Sequence, residues 1–179
     1  MRTRKISILL FLTLSLASCK STIERAEAEM PTPEFDFSGM DTNKFPKPVG
    51  YVNDFENVFT EAQKNELEKF LSLYEQNTTN EIAVITINSI EPYMDFDTYA
   101  IDLSKAWGVG KKDKDNGLTI VFSKALKKIR ISTGTGTEKI ITDEFCKNVI
   151  DQTIIPEFKK GEYYTGILNG LSALIREWK

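Results

Sequence analysis

Histidine is absent from all 179 residues, and that absence removes whole chemistries at once. No Ser-His-Asp or Cys-His nucleophile can be assembled, no HExxH zinc site exists, and no imidazole can switch charge near neutral pH. Cysteine is nearly as scarce, with only Cys19 and Cys146 in the chain. Arginine is thin where it would matter: beyond residue 45 there are only Arg130 and Arg176, so a guanidinium clamp for a phosphate ester has few donors. The longest apolar run is too short to cross a bilayer comfortably, and no internal repeat is present.

What is there describes a globular protein. With 41% hydrophobic and 27% charged residues, disorder throughout is excluded, and the length suits one domain plus an appendage. The formal charge is −3; removing Arg2, Arg4 and Lys5 with a leader leaves 20 bases against 26 acids, or −6. An acidic surface argues against a nucleic-acid partner, because phosphate binding draws on clustered Lys and Arg.

The leader is legible. Arg2, Arg4 and Lys5 form a positive start, Ile6 to Leu14 form a short apolar stretch, and Leu16-Ala17-Ser18-Cys19 follows directly. This ending resembles the lipobox of bacterial lipoproteins, which implies a signal peptide over residues 1–18 and acylation of Cys19 as the first mature residue. The alternative is an ordinary signal with a chance cysteine. Several acyl chains would anchor the protein without a spanning helix, each buried methylene adding ~0.8 kcal/mol. Lys20 stands where an inner-membrane retention aspartate would be, so the expected location is the bacterial envelope, on the periplasmic face of the outer membrane. Residues 19–45, rich in Glu, Pro, Thr and Ser, are expected to be a flexible tether of roughly 25 to 30 Å. With Cys19 lipidated, Cys146 is the only free thiol; its neighbours Phe145, Val149 and Ile150 at helical spacing predict a buried, inert side chain. A cysteine phosphatase would need arginine where Gln152 stands.

Residues 46–179 carry the patterns of a folded domain. Thr60-Glu61-Ala62-Gln63 has capping-box spacing ahead of a helix with Leu67, Phe70, Leu71 and Tyr74 on one stripe. The run from Ile82 to Ile87 predicts a strand buried on both faces. Asp95 or Asp97 can cap a helix carrying Ala100, Leu103 and Trp107, which Gly108 can end. Leu118 to Phe122 predicts a second buried strand, and Ile129 to Thr133 a third with one wet face, paired as an antiparallel hairpin. Thr142 starts a further helix that Pro156 ends or kinks, and the stripe from Tyr164 to Trp178 predicts a last one. The order implies an α/β three-layer sandwich: a mixed, mostly parallel sheet with an antiparallel hairpin and helices on both faces.

One set of segments carries a family resemblance. Pro48-Val49-Gly50-Tyr51-Val52-Asn53-Asp54-Phe55, the turn Trp107-Gly108-Val109-Gly110, Lys114-Asp115-Asn116-Gly117-Leu118 and Gly134-Thr135-Gly136-Thr137-Glu138 occur in order, followed by Thr142-Asp143, Ile155-Pro156-Glu157-Phe158 and Gly161-Glu162-Tyr163. Together they resemble the TPM domain, a family named after a thylakoid lumen protein, a photosystem II repair protein and a nematode receptor modulator. Many bacterial members look like signal-bearing proteins with a transmembrane segment and a Gly-rich tail behind the domain. Neither is found here, so attachment is expected at the other end, through the lipid on Cys19.

Asp54, Asp115, Asn116, Glu138 and Asp143 are expected at strand ends or in loops that one sheet edge could gather. In α/β folds ligands favour the crevice beyond the carboxyl ends of strands. Carboxylates brought together repel unless a cation sits between them, and oxygen ligands suit calcium or magnesium. The resemblance implies the same, since plant members look like calcium binders. The competing reading is that these acids only cap helices and sit in solvated turns. Asp113 to Gly117 is not an EF-hand, because its glycine comes one position early and Lys124 occupies the bidentate position. Gly134-Thr135-Gly136 lacks the third glycine of a dinucleotide fingerprint, and Asp95-Phe96-Asp97-Thr98 follows Pro92 instead of an apolar strand. The expected function is therefore a cation-binding envelope module that engages a protein partner. The alternative, also implied by the resemblance, is a divalent-cation-dependent acid phosphatase in which Asp115 serves a metal-activated water. A purely structural domain is the third possibility.

Overall fold

The computed structural model describes residues 44–178. Four strands pair in sequence order: β1 (Val52–Asp54), β2 (Glu81–Thr86), β3 (Gly117–Ser123) and β4 (Lys128–Thr133). The first three are parallel and β4 is antiparallel to β3, with Leu118 opposite Thr133 and Ser123 opposite Lys128. The mixed sheet and hairpin are as the sequence implies. β1 is the correction: its three residues are too few to show a strand period, and only their pairing with Val84, Ile85 and Thr86 makes them one.

The helices follow their local signals. α1 (Glu61–Thr78) opens on the reciprocal bonds of Thr60 and Gln63, and Thr79 closes it in the left-handed region at φ 67°. α2 (Phe96–Trp107) is capped by Asp95, whose carboxylate accepts the Thr98 N–H at 2.8 Å, so Asp97 falls inside the first turn. Gly108 ends it. α3 (Asp143–Val149) is capped by Thr142. Pro156 neither stops nor sharply breaks the helical path: a π-helical turn, Ile150–Ile154, widens the backbone and leads into α4 (Ile155–Phe158). Proline lacks an N–H and crowds the carbonyl four residues back, and a wider turn relieves both. α5 (Tyr163–Glu177) then packs on this turn. At Gly170 a methyl group would lie 2.7 Å from the Ile154 side chain, so the two elements meet only because that position is glycine.

Helices lie on both faces of the sheet. One face buries Ile82, Val84, Leu118, Ile120 and Phe122 under α1, α3 and α5. The other buries Ala83, Ile85 and Val121 under α2 alone, which contributes Ala100, Leu103 and Trp107. Each large aliphatic buried in this way contributes ~1.5 to 3 kcal/mol. The strands β1, β2 and β3 step across the sheet in one direction, yet α1 crosses one face and α2 the other. The two crossovers therefore have opposite hands, and one departs from the right-handed rule.

Coverage by a single helix leaves part of the α2 face open. α2 reaches β4, where its Asp97 faces Arg130. On β4 the residues that share this face, opposite Thr119, Val121 and Ser123, are Ser132, Arg130 and Lys128. They are polar, and a groove results.

A candidate binding groove

Strand direction separates the acids expected to meet. Asp54 ends β1 at the carboxyl edge of the parallel strands, whereas Asp115 and Asn116 precede β3 at the amino edge. Glu138 follows β4, which is antiparallel and so finishes beside the start of β3. The seven residues of β3 set the two edges roughly 20 Å apart. Asp54 is thus not gathered with the others, and both of its carboxylate oxygens are engaged. Oδ1 accepts from Val58 N–H at 3.0 Å and Thr86 Oγ1 at 2.6 Å, and Oδ2 accepts from Phe59 N–H at 2.8 Å, which fixes the turn after β1.

At the amino edge two loops interlock, residues 108–116 between α2 and β3 and residues 134–142 between β4 and α3. A methyl group on Gly117 would stand 1.8 Å from the Val109 carbonyl oxygen, and one on Gly136 would stand 2.0 Å from that of Lys114. Backbone therefore presses on backbone, and Gly134 N–H and Gly136 N–H donate to the carbonyls of Gly117 and Asp115 at 2.9 and 3.1 Å. Asp115 is held in the left-handed region at φ 47°, and its Oδ2 accepts from Thr135 Oγ1 at 2.8 Å. Asn116 turns the other way. Its Oδ1 accepts from Lys111 N–H at 2.8 Å, and its Nδ2 donates to Thr79 carbonyl at 2.7 Å and to Asn80 Oδ1 at 3.1 Å, tying the loop to the end of α1.

The open part of the α2 face, bounded by these loops, is a groove of about 790 Å³. Asp115, Glu138 and Asp143 line it, and so do Lys105, Lys111, Lys112 and Arg130. Asn116 does not. Ser104 Oγ and Thr119 Oγ1 pair at 2.5 Å in its floor, and Arg130 Nη1 lies 3.6 Å from Asp97 Oδ1. Both signs of charge are present, so the groove suits a polar ligand. Among the described residues no three Asp, Glu or Cys side chains converge as direct ligands of one metal ion. The three carboxylates share the groove without meeting at a point. Arg130 was hidden in the sequence as one polar residue on the wet face of a strand; it was the only arginine in any predicted strand.

The sequence model of the TPM domain matches residues 52–177. The chain belongs to the TPM domain family. The N-terminal domain of a protein from P. gingivalis, solved by NMR, is similar at 28% identity and TM-score 0.64, over 70% of this chain and 80% of that one. A protein from the psychrophilic bacterium Bizionia argentinensis is 22% identical at TM-score 0.58, over 70% and 88% of the two chains. The N-terminal domain of a Corynebacterium glutamicum protein shares the fold at 13% identity and TM-score 0.56, over 75% and 86%. No curated protein matches. The segments around Trp107, Asp115 and Gly134 that carry the resemblance to the family belong to the two loops that interlock at the amino edge.

Behind the groove the TPM domain buries a charge cluster that sequence reasoning missed. Glu81, first residue of β2, is fully buried; Oε2 accepts from Gly110 N–H at 3.1 Å with Lys111 Nζ at 4.0 Å, and Oε1 has no hydrogen-bond partner. Lys111 Nζ sits 2.6 Å from Glu75 Oε1, and the other Glu75 oxygen accepts from the Tyr51 hydroxyl. Burial, reinforced by the charge of Glu75, pushes the Glu81 carboxyl up to about 7, against the pull of Gly110 N–H and Lys111. Burial, followed by the bond to Glu75, also holds the Tyr51 hydroxyl well above its usual range. The signal was a lone acid abutting a strand that had to be buried on both faces. Cys146 is buried as well, its thiol pushed up to about 11 by burial and then by the charge of Asp143. Cys19 lies outside the described residues.

Proposed function

We propose that this protein is a lipid-tethered module of the bacterial envelope whose TPM domain binds a divalent cation, calcium or magnesium, in the groove and presents that face to a protein partner. The observation that carries the reading is that Asp115, from the loop before β3, Glu138, from the connection between β4 and α3, and Asp143, the first residue of α3, line one groove. Their donor chemistry suits a hard dication, and the Thr135 hydroxyl adds a neutral oxygen beside Asp115. Among the described residues three carboxylates do not converge directly, and a dication held through one or two carboxylates and otherwise by water does not require it. Asp54 and Asn116 drop out of the ligand set because their oxygens are spent on backbone turns.

Calcium added to the purified protein at 100 times its dissociation constant is expected to stabilise it by ~2.7 kcal/mol. Asp115→Asn should remove most of that gain, as read by thermal unfolding with and without EDTA. An unchanged melting temperature in both proteins would leave a purely structural domain. One observation favours a second reading, hydrolysis of phosphate monoesters: Arg130 and Lys105 line the same groove as the carboxylates, so a phosphoryl group would meet cationic donors there. That reading requires turnover of an aryl phosphate that disappears in the same Asp115→Asn protein.

The tether is proposed from the leader. Among the described residues no helix is long and apolar enough to cross a membrane. Cys19→Ser should accumulate an unprocessed precursor in cells, seen as a slower-migrating band, whereas normal maturation would rule out acylation of Cys19.

A further inference from the structure

The groove has a wall that is held by a buried carboxylate at the start of β2. Gly108, Val109, Gly110 and Lys111 form that wall, and the buried carboxylate of Glu81 reaches it through Gly110 N–H and the Lys111 ammonium. We propose that Glu81 is a positioning residue, a proton-operated clasp that sets how firmly this turn is held and thereby tunes ligand binding in the groove. The proposal extends the cation-binding reading to the regulation of that same groove.

Charged and polar groups from three elements face Glu81. From α1, Glu75 faces Glu81 and shares Lys111 with it, while Glu68 accepts the Tyr51 and Val52 N–H groups at 2.8 and 2.7 Å. Before β1, the Tyr51 hydroxyl donates to Glu75. From the loop before β3 come Lys111 itself and Lys114, whose Nζ donates to Thr79 Oγ1 at 3.1 Å. Two carboxylates thus compete for one ammonium inside the fold. When Glu81 is ionised, Gly110 N–H makes a charge-assisted bond and Lys111 is drawn toward both acids. When Glu81 takes up a proton, that bond weakens and the pull on Lys111 shifts toward Glu75. The unpartnered Oε1 is where the proton would reside, since Oε2 is already accepting.

The test is an NMR titration of the purified protein. The Gly110 and Lys111 amide resonances are expected to move together with the Glu81 carboxyl carbon, with a midpoint near 7. In Glu81→Gln the amide movement should vanish. Should that variant fail to fold, Lys111→Met should raise the midpoint and Glu75→Gln should lower it, because one removes an attraction and the other a repulsion. Calcium serves as the groove probe: its affinity in the unaltered protein should change about threefold or more between about pH 6 and about pH 8, and should be flat in Glu81→Gln. Amide shifts that stay flat across this range, midpoints that ignore Lys111 and Glu75, or a calcium affinity that ignores pH would each overturn the clasp. If calcium does not bind at all, the cation reading fails, and the amide titration and its charge variants still decide whether Glu81 operates the turn.

Discussion

Gly117→Ala is expected to cost the fold at least about 4 kcal/mol, most of what holds an ordinary small domain together. The reason is steric and local. The added methyl would sit 1.8 Å from the Val109 carbonyl oxygen, and the next contacts are also backbone atoms, so no side chain can swing aside. Relief requires the loop after α2 to part from the start of β3, which would break the Glu81 to Gly110 bond and open the groove wall with it. Gly161→Ala supplies the comparison: its φ is 84° but nothing lies within 4 Å of the added carbon. That variant should lose only about 1 to 2 kcal/mol, the cost of a left-handed residue with a side chain. Urea unfolding of the two proteins separates the effects. Equal losses would mean that the interlocked loops yield easily and do not define the groove.

The second large effect is a dependence of stability on pH. The folded Glu81 carboxyl is raised to about 7 from an ordinary value of 4.5, so the folded state binds its proton more tightly than the unfolded chain does. Its contribution is fully present below the unfolded value and is lost as pH rises through the folded value; above about 7 it changes no further. The loss is on the order of 3 kcal/mol. Other carboxylates of the fold gain bonds on folding and pull in the opposite sense, so the quantity to measure is the difference between two proteins. Glu81→Gln, which cannot ionise, should match the parent near pH 4 and exceed its stability near pH 8 by about 1 to 3 kcal/mol, the lower figure applying where the charge-assisted bond to Gly110 N–H is missed. Chemical unfolding at several pH values provides the test. A variant that is less stable than the parent at every pH would show that Glu81 is ionised in the fold without penalty. The clasp and the penalty are compatible: ionised Glu81 grips the turn more strongly and burdens the whole fold with a buried charge.

Much of the fold could be read from local chemistry. Thr60 with Gln63, Asp95 and Thr142 announce helix starts because capping is an interaction within three residues of chain. The apolar run from Ile82 and the alternation around Arg130 separate an inner strand from an outer one. What escaped depends on direction and burial. Asp54 and Asp115 both abut strands, but one follows its strand and the other precedes it, and parallel pairing turns that difference into opposite edges of the molecule. Asn116 looked like a ligand beside Asp115, yet a positive φ at Asp115 sends the two side chains to different places. Glu81 was missed because, although it abuts a strand buried on both faces, no local pattern says that a distant turn will seal it. Pro156 was legible as a disturbance, but only the packing of α5 against Ile154 decides that the backbone answers with a wide turn.

The central claim is that a dication settles at the amino edge, among Asp115, Glu138 and Asp143. Manganese, a paramagnetic stand-in with the same preference for oxygen, tests it most directly. Added at substoichiometric levels to the purified protein, it should broaden the amide signals of Asp115, Thr135, Glu138 and Asp143 while those of Asp54, Val58 and Phe59 stay sharp, and excess calcium should restore them. Broadening centred on Asp54, or none anywhere in the groove, would contradict the account.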